Sequence, residues 1–186
     1  MSTLFSIGQM NQLGDALEAK GFTPDDITKL RSHPELGMLL LFTRGQAKIT
    51  LPQHLINCDE NPCLPNGWKV EEHKQGGQLE WNHTRVKLYL SKDQRPGKSI
   101  VGNKLRKELA NQSVLNACVL DYLLANSTLI PEEWKGKLVF FWGTVYRDSY
   151  GGLCVRYLYW GDGSWRWGYR WLDRNFGDSD PAAISA

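Results

Sequence analysis

Residues 153–172 read LCVRYLYWGDGSWRWGYRWL, and this stretch decides the fold of the last third of the chain. β-Branched and aromatic residues dominate both halves, which is typical of strands, and Asp162-Gly163 between them is a strong signal for a two-residue hairpin turn. Because the turn sets the register of a hairpin, the cross-strand pairs can be predicted. They are Trp160–Trp165, Leu158–Trp167, Arg156–Tyr169 and Cys154–Trp171.

A third strand is predicted at Leu138–Arg147, with Tyr150-Gly151 as the second turn of a three-stranded antiparallel meander. That turn would place Val145 opposite Arg156. Side chains alternate across a strand, so one face of the meander is almost wholly apolar and is predicted to be a core face covered by helices. Arg156 at its centre is expected to stack on Tyr169 or to pair with an acid. The other members of this face are Phe141, Val145, Leu158, Trp160, Trp165, Trp167, Tyr169 and Trp171.

The opposite face of the meander combines tyrosine, tryptophan and arginine. This composition is typical of surfaces that stack on bases, on sugars or on a partner protein, and we take it as the candidate ligand-binding site. The candidate residues are Trp142, Tyr146, Tyr157, Tyr159, Arg166 and Arg170. The structural alternative is a solvated sheet face whose tyrosines reflect strand propensity alone.

The chain of 186 residues falls into three predicted segments. Residues 1–50 are predicted to form a module of three helices, and residues 51–84, rich in proline and glycine, a loop-rich connector. Residues 85–186 are predicted to form an α+β domain that ends in the meander. The expected fold class is therefore α+β, with helices packed on a small antiparallel aromatic sheet.

Local signals give the helix boundaries inside these segments. Thr23 is a good N-cap for a helix with Pro24 in its first turn, and His33-Pro34 ends this helix before another begins at Glu35. The elements predicted before the meander in the α+β domain are a strand at Arg85–Leu90, a helix at Asn103–Leu109 and a helix that is capped by Ser113 and ends near Asn126.

A series of short motifs carries a resemblance to other proteins. They are LNA at 115–117, LDYLL at 120–124, IPEEWK at 130–135, FFWGT at 140–144, YRD at 146–148, VRYLYW at 155–160, WL at 171–172 and PAA at 181–183. In this order they resemble a family of uncharacterised proteins of uncultivated bacteria. The resemblance covers residues 85–186 and extends to the helical start. It implies a bacterial source and carries no assigned activity.

Charge is unevenly distributed although the formal net charge is only +2. Residues 69–110 hold ten cationic and five acidic side chains, and the cations cluster around one turn and one helix. Together with Arg166 and Arg170 they could form an aromatic-flanked groove for RNA or DNA; the alternative is a solvated helix face. These nucleic-acid candidates are Lys92, Arg95, Lys98, Lys104, Arg106 and Lys107.

Metal and cofactor motifs are incomplete. His54, Cys58 and Cys63 share one loop and His73 is a possible fourth ligand, but zinc motifs with two close cysteine pairs require a second pair, which is missing. No phosphate-binding glycine motif is present. We therefore expect neither a metal nor a cofactor.

The sequence also contains no recognised catalytic motif. Cys118 is predicted mid-helix and Cys154 mid-strand, and neither position is typical of a reactive thiol. The most favoured function is a non-catalytic protein-interaction module, with nucleic-acid binding as the alternative and an enzyme with an unrecognised site as the third reading.

The start of the chain lacks a signal peptide, and its longest apolar run, Met38–Phe42, is too short to span a membrane. We expect no membrane partner and a cytoplasmic protein with reduced cysteines.

Overall fold

A computed structural model describes residues 4–34, 36–47 and 54–186. The chain divides into two compact units, Met1–Pro52 and Gln53–Ala186. The predicted α+β class is confirmed, with about 30% helix and 27% strand in a mixed, mainly antiparallel arrangement.

The first unit contains three helices, α1 (Ile7–Glu18), α2 (Pro24–Arg31) and α3 (Leu36–Thr43). Thr23 caps α2 as predicted, because its hydroxyl accepts a hydrogen bond from the backbone N–H of Asp26. The predicted start of the third helix at Glu35 lies outside the described residues. No described residue of these helices is buried.

The second unit is built on a seven-stranded sheet. Its strands follow the order β2-β7-β8-β6-β11-β4, β9 pairs with β8, and all pairs are antiparallel except β6 with β11. Two small antiparallel pairs, β1–β3 and β5–β10, accompany it. The strands are β1 (Leu55–Asn57), β2 (Lys69–His73), β3 (Gln78–Glu80), β4 (Val86–Tyr89), β5 (Ile100–Val101), β6 (Val139–Phe140), β7 (Thr144–Arg147), β8 (Leu153–Gly161), β9 (Ser164–Trp171), β10 (Asn175–Phe176) and β11 (Ala182–Ser185).

Two further helices, α4 (Gly102–Glu108) and α5 (Ala117–Ala125), lie between β5 and β6. The prediction that Ser113 caps the second of these is wrong. Asn116 is the cap, because its side-chain oxygen accepts from the N–H of Cys118 at 3.1 Å. Ser113 instead belongs to an extended stretch along β11, where it accepts from the N–H of Ser185 at 2.8 Å.

Strands also form where the sequence predicts a loop-rich connector. Strand β2 pairs with β7, and β1 pairs with β3. Strand β2 was not predicted from the sequence because Lys69–Glu72 are all exposed. It therefore lacks the apolar alternation that indicates a half-buried strand.

The hairpin of β8 and β9 has the predicted register. Trp160 faces Trp165, Leu158 faces Trp167, and the other two predicted pairs follow. Asp162 and Gly163 both have positive φ, 49° and 75°, as a type I′ turn requires. We call the side of this hairpin that carries Arg156 the Arg156 face, and the side that carries Tyr157 the Tyr157 face.

The predicted register of β7 against β8 is wrong by one residue. Tyr146, rather than Arg147, lies opposite Cys154. Tyr150-Gly151 is part of a longer loop, 148–152, because the carboxylate of Asp148 accepts from the N–H groups of both Tyr150 and Gly152, at 3.0 and 2.8 Å. A slip of one residue exchanges the faces of a strand, so Tyr146 moves to the Arg156 face and Val145 to the Tyr157 face.

Candidate functional site

Only part of the Arg156 face is buried in the hydrophobic core. Phe141 and Leu158 are fully buried, as predicted, whereas the aromatic residues of β9 and the end of β8 remain accessible. The exposed fractions are 37% for Trp160, 40% for Trp167, 40% for Tyr169 and 36% for Trp171. The prediction that this whole face is core is therefore wrong for β9. The physical reason is position, since β9 forms the edge of the sheet, where fewer elements can cover a side chain.

Arg156 is fully buried beneath this aromatic row and is neutralised there. Its Nη2 donates to Asp121 Oδ1 at 2.8 Å, and its guanidinium stacks 4.3 Å from the ring centre of Trp167. The expected pairing with an acid is confirmed, but the stacking partner is Trp167 and not Tyr169. The stacking and the ion pair together hold the middle of the row in place.

Strand β9 has a free edge. In a two-residue hairpin the residues next to the turn form a hydrogen-bonded pair, and such pairs alternate along the ladder. The N–H and C=O groups of Arg166, Gly168 and Arg170 therefore point to β8. Those of Trp165, Trp167 and Tyr169 point away from the sheet. Within the described part of the chain, no strand pairs with that side of β9.

The exposed aromatic rings of the free edge are held by their neighbours. Tyr169 makes edge-to-face contacts with Trp68 and Trp171, with ring centres 4.8 and 5.3 Å apart. The indole N–H of Trp171 donates to Asp148 Oδ2 at 2.7 Å. That hydrogen bond is the main reason why the pKa of Asp148 lies below its ordinary value. The row is thus ordered before any ligand arrives, which lowers the entropic cost of binding.

The Tyr157 face holds four of the six predicted ligand-binding residues. Tyr157, Tyr159, Arg166 and Arg170 share this face and are at least partly accessible. Both arginines have acidic partners: Arg166 donates to Asp162 at 2.8 Å, and Arg170 donates to Asp180. The structure therefore brings the predicted residues together, but their charge is largely neutralised.

The other two predicted ligand-binding residues are buried. Trp142 is 4% exposed and packs against Phe140 and Phe176. Tyr146 is fully buried on the opposite, Arg156 face because of the register slip, and burial raises the pKa of its hydroxyl to about 12. Neither ring belongs to an open ligand surface on the Tyr157 face.

The predicted nucleic-acid residues are partly neutralised by acids. Lys104 pairs with Asp93 at 2.6 Å, and Arg106 pairs with Glu72 at 2.5 Å. The remaining four, Lys92, Arg95, Lys98 and Lys107, are exposed.

A hydrogen bond ties this basic segment to the region of β9. The side chain of Gln94 donates to the backbone oxygen of Asp180 at 2.9 Å, and Asp180 also binds Arg170.

The loop predicted as a possible metal site is organised by hydrogen bonds instead. His54 Nδ1 lies 3.0 Å from the hydroxyl of Tyr122, and His73 Nε2 lies 3.0 Å from the backbone oxygen of Cys58. Within the described residues, no group of three or more histidine, cysteine or acidic side chains is arranged to hold a metal ion.

A thiol and an imidazole approach each other in this region, which sequence analysis missed. Cys118 lies at the start of α5, not in mid-helix as predicted, and its Sγ is 4.0 Å from His73 Nε2. Burial raises the pKa of the Cys118 thiol to about 11, and the thiol donates to the backbone oxygen of Glu60. The thiol is therefore protonated near neutral pH, which is the unreactive form.

Comparisons of the chain with protein-family models, with curated proteins and with solved structures found no match. None of the described helices is long and apolar enough to cross a membrane. The geometry of the second unit therefore carries the functional argument. Its most distinctive feature is the free edge of β9, which combines unpaired backbone groups with an ordered aromatic row.

Proposed function

We propose that the chain is a non-catalytic protein-binding module that captures an extended peptide segment by strand addition along β9. One observation carries this proposal: the N–H and C=O groups of Trp165, Trp167 and Tyr169 face outward, and the rings of Trp167 and Tyr169 beside them are exposed. An extended polypeptide satisfies such a row of alternating donors and acceptors along its whole length.

The two faces of β9 define the peptide that fits. Side chains of an added strand alternate between the aromatic row on the Arg156 face and the Tyr157 face with Arg166 and Arg170. Apolar residues would pack against the row, and polar residues would alternate with them. Tryptophan, tyrosine and arginine are the residue types that dominate binding energy in protein interfaces.

Protection of the edge is weak, which supports a binding role. Free edges are usually blocked by proline, bulges or charged side chains. Strand β9 contains no proline, its pairing with β8 is regular over its whole length, and both of its arginines are paired with acids. An unprotected edge of this kind promotes pairing with another chain.

Stacking of single-stranded RNA or DNA on the same row remains the alternative outcome. Phosphate binding depends on unpaired lysine and arginine, and acids neutralise Arg166, Arg170, Lys104 and Arg106. This pairing favours a peptide over a nucleic acid. We propose a bacterial cytoplasmic setting, which the resemblance and the four free cysteines support.

The test begins with a displayed library of linear peptides, long enough to pair with all of β9 and selected against the whole immobilised chain. We expect selected peptides to alternate apolar and polar residues. Addition of a synthetic selected peptide should protect the amides of Trp165, Trp167 and Tyr169 from hydrogen exchange. N-methylation at alternate peptide positions should abolish binding, while N-methylation at the intervening positions should not.

A matched pair of variants separates backbone pairing from ring contacts. Tyr169→Ala and Tyr169→Pro both remove the ring, but only proline also removes the outward N–H, at an edge position where proline is tolerated. We expect Tyr169→Pro to bind the peptide more weakly than Tyr169→Ala. Equal affinities, no selected peptide, or insensitivity to N-methylation would each overturn strand addition. Binding of single-stranded oligonucleotides with a steep salt dependence would support the nucleic-acid alternative.

A further inference from the structure

A separate cavity of about 780 Å³ lies in the second unit, between the end of β2 and helix α4. It shares no residue with the edge of β9. Leu109, Val114 and Trp142 contribute apolar surface to its lining. A volume of this size is in the range of small-molecule sites, which combine apolar walls with a few polar groups.

The polar part of the lining is cationic. Lys74, Arg106 and Lys107 line the cavity together with one carboxylate, Glu72. Glu72 binds two nitrogens of Arg106, at 2.5 and 3.2 Å. The ammonium of Lys74 donates to the backbone oxygens of Ala110 and Gln112, at 2.9 and 3.3 Å.

Two cations of this lining have no acidic partner. Within the described residues the ammonium of Lys107 has no ion-pair or hydrogen-bond partner and that of Lys74 binds only backbone oxygens, so the cavity carries positive charge that the protein does not neutralise. An anion placed in the cavity would be attracted by this surplus.

Trp142 is the aromatic part of the apolar lining. Its side chain is 4% exposed and lines the cavity, and its indole Nε1 is buried with no hydrogen-bond partner among the described residues. An unpaired buried donor is unfavourable, and few such groups persist in folded proteins. The Nε1 atom itself has no accessible surface, so a ligand in the cavity would contact the ring of Trp142 and not this N–H.

We infer that this cavity binds a small organic anion, with a flat apolar body against Trp142 and a carboxylate or phosphate near Lys107. The apolar lining accounts for the body, and Lys74 and Lys107, which no acid neutralises, account for the charge. Arg106 and Lys107, which the sequence suggested as nucleic-acid contacts, would then bind a small anion instead.

The test follows the indole N–H resonance of Trp142 by NMR, assigned through its loss in the Trp142→Phe variant. The probes are benzoate, phenyl phosphate and benzamide, which share a flat ring and differ in charge. We expect a saturable shift with benzoate or phenyl phosphate, and binding of uncharged benzamide weaker by about tenfold. The response to the two anions distinguishes a carboxylate from a phosphate ligand.

Matched variants complete the experiment. Lys107→Gln should weaken anion binding, whereas Lys98→Gln, an exposed lysine outside the lining, should leave it unchanged. No shift with either anion, equal binding of benzamide, or equal effects of the two lysine variants would overturn the inference.

Discussion

The two hairpins that share β8 follow different rules. The turn of β8–β9 is formed by Asp162 and Gly163 alone, and its register is the predicted one. The turn of β7–β8 is a loop held by the side chain of Asp148, and its register is displaced by one residue from the prediction. A register is therefore readable from sequence where backbone conformation alone closes the turn, and hidden where a side chain closes it.

A second difference lies at the other end of β7. The strand is separated from β6 by a break at 141–143, where the backbone N–H of Gly143 donates to the oxygen of Leu115 at 2.9 Å. This break ties the register of β7 to the start of α5, which is distant in sequence. In contrast, β9 continues without interruption along β8 from Ser164 to Trp171.

The largest expected effect uses the same substitution in the break before β7 and in β9. A Cβ added to Gly143 would lie 2.8–2.9 Å from Asn116, including its backbone N and Cα, which cannot move without shifting the cap of α5. We expect Gly143→Ala to lower the free energy of unfolding by about 2–3 kcal/mol. At Gly168 the added atom meets the outer end of the half-exposed Tyr157 ring, 2.6 Å away, and that ring can swing aside.

Gly168→Ala is therefore the matched control, and we expect it to cost less than about 1 kcal/mol, since alanine also restricts the unfolded chain. Denaturant unfolding of both variants gives the measurement. If Gly143→Ala were as mild as Gly168→Ala, the close approach to α5 would not fix the break in β7.

Helix starts and turns that depend only on residues adjacent in the sequence were predictable. Thr23 and Pro24 start α2 because hydroxyl capping and a fixed φ act within a single turn, and Asp162-Gly163 sets the β8–β9 register for the same reason. Elements with a distant cause were not predictable. Asn116 replaces Ser113 as the cap of α5 because Ser113 is held against β11, far along the chain.

The candidate site shows the same division. The pairing of aromatic residues across β8 and β9 followed from the turn, but the accessibility of Trp167 and Tyr169 depends on β9 being an edge, which is a property of the whole sheet. Burial of Tyr146 followed from a register slip next to the loop that Asp148 holds. The approach of Cys118 to His73 joins positions far apart in sequence and left no local signal.

The second prediction concerns Asp148 and acid. The indole hydrogen bond from Trp171 and the N–H groups of the loop favour the carboxylate, so the pKa of Asp148 in the folded chain lies below its ordinary value of 3.8. The folded state then binds fewer protons than the unfolded state in this range, and the stabilisation is present above about pH 4 and lost as pH falls through the folded pKa. We expect Asp148→Asn to be less stable than the wild type at neutral pH, with the gap narrowing below pH 4.

The measurement is the denaturant midpoint of the wild type and of Asp148→Asn from neutral to acid pH. The effects of carboxylates that both proteins share cancel in the difference between the two midpoints. Trp171→Phe is the control, since it keeps the carboxylate of Asp148 and removes the indole N–H that is the main cause of its lowered pKa. Combining it with Asp148→Asn should cost less than the sum of the two single variants. If the difference in stability between the wild type and Asp148→Asn stayed constant across the pH range, the charge of Asp148 would not be what closes the loop.

The smallest effect is expected at the turn that sequence reads correctly. Asp162 has φ of 49°, a left-handed conformation that asparagine adopts as readily and alanine does not. Asp162→Asn also loses the exposed ion pair with Arg166, and such pairs contribute little. We expect Asp162→Asn to change the free energy of unfolding by less than about 0.5 kcal/mol and Asp162→Ala to lower it by about 1 kcal/mol. Urea unfolding of the two variants distinguishes the causes: if both lost stability equally, the ion pair and not the backbone conformation would set this turn, and with it the register of β9.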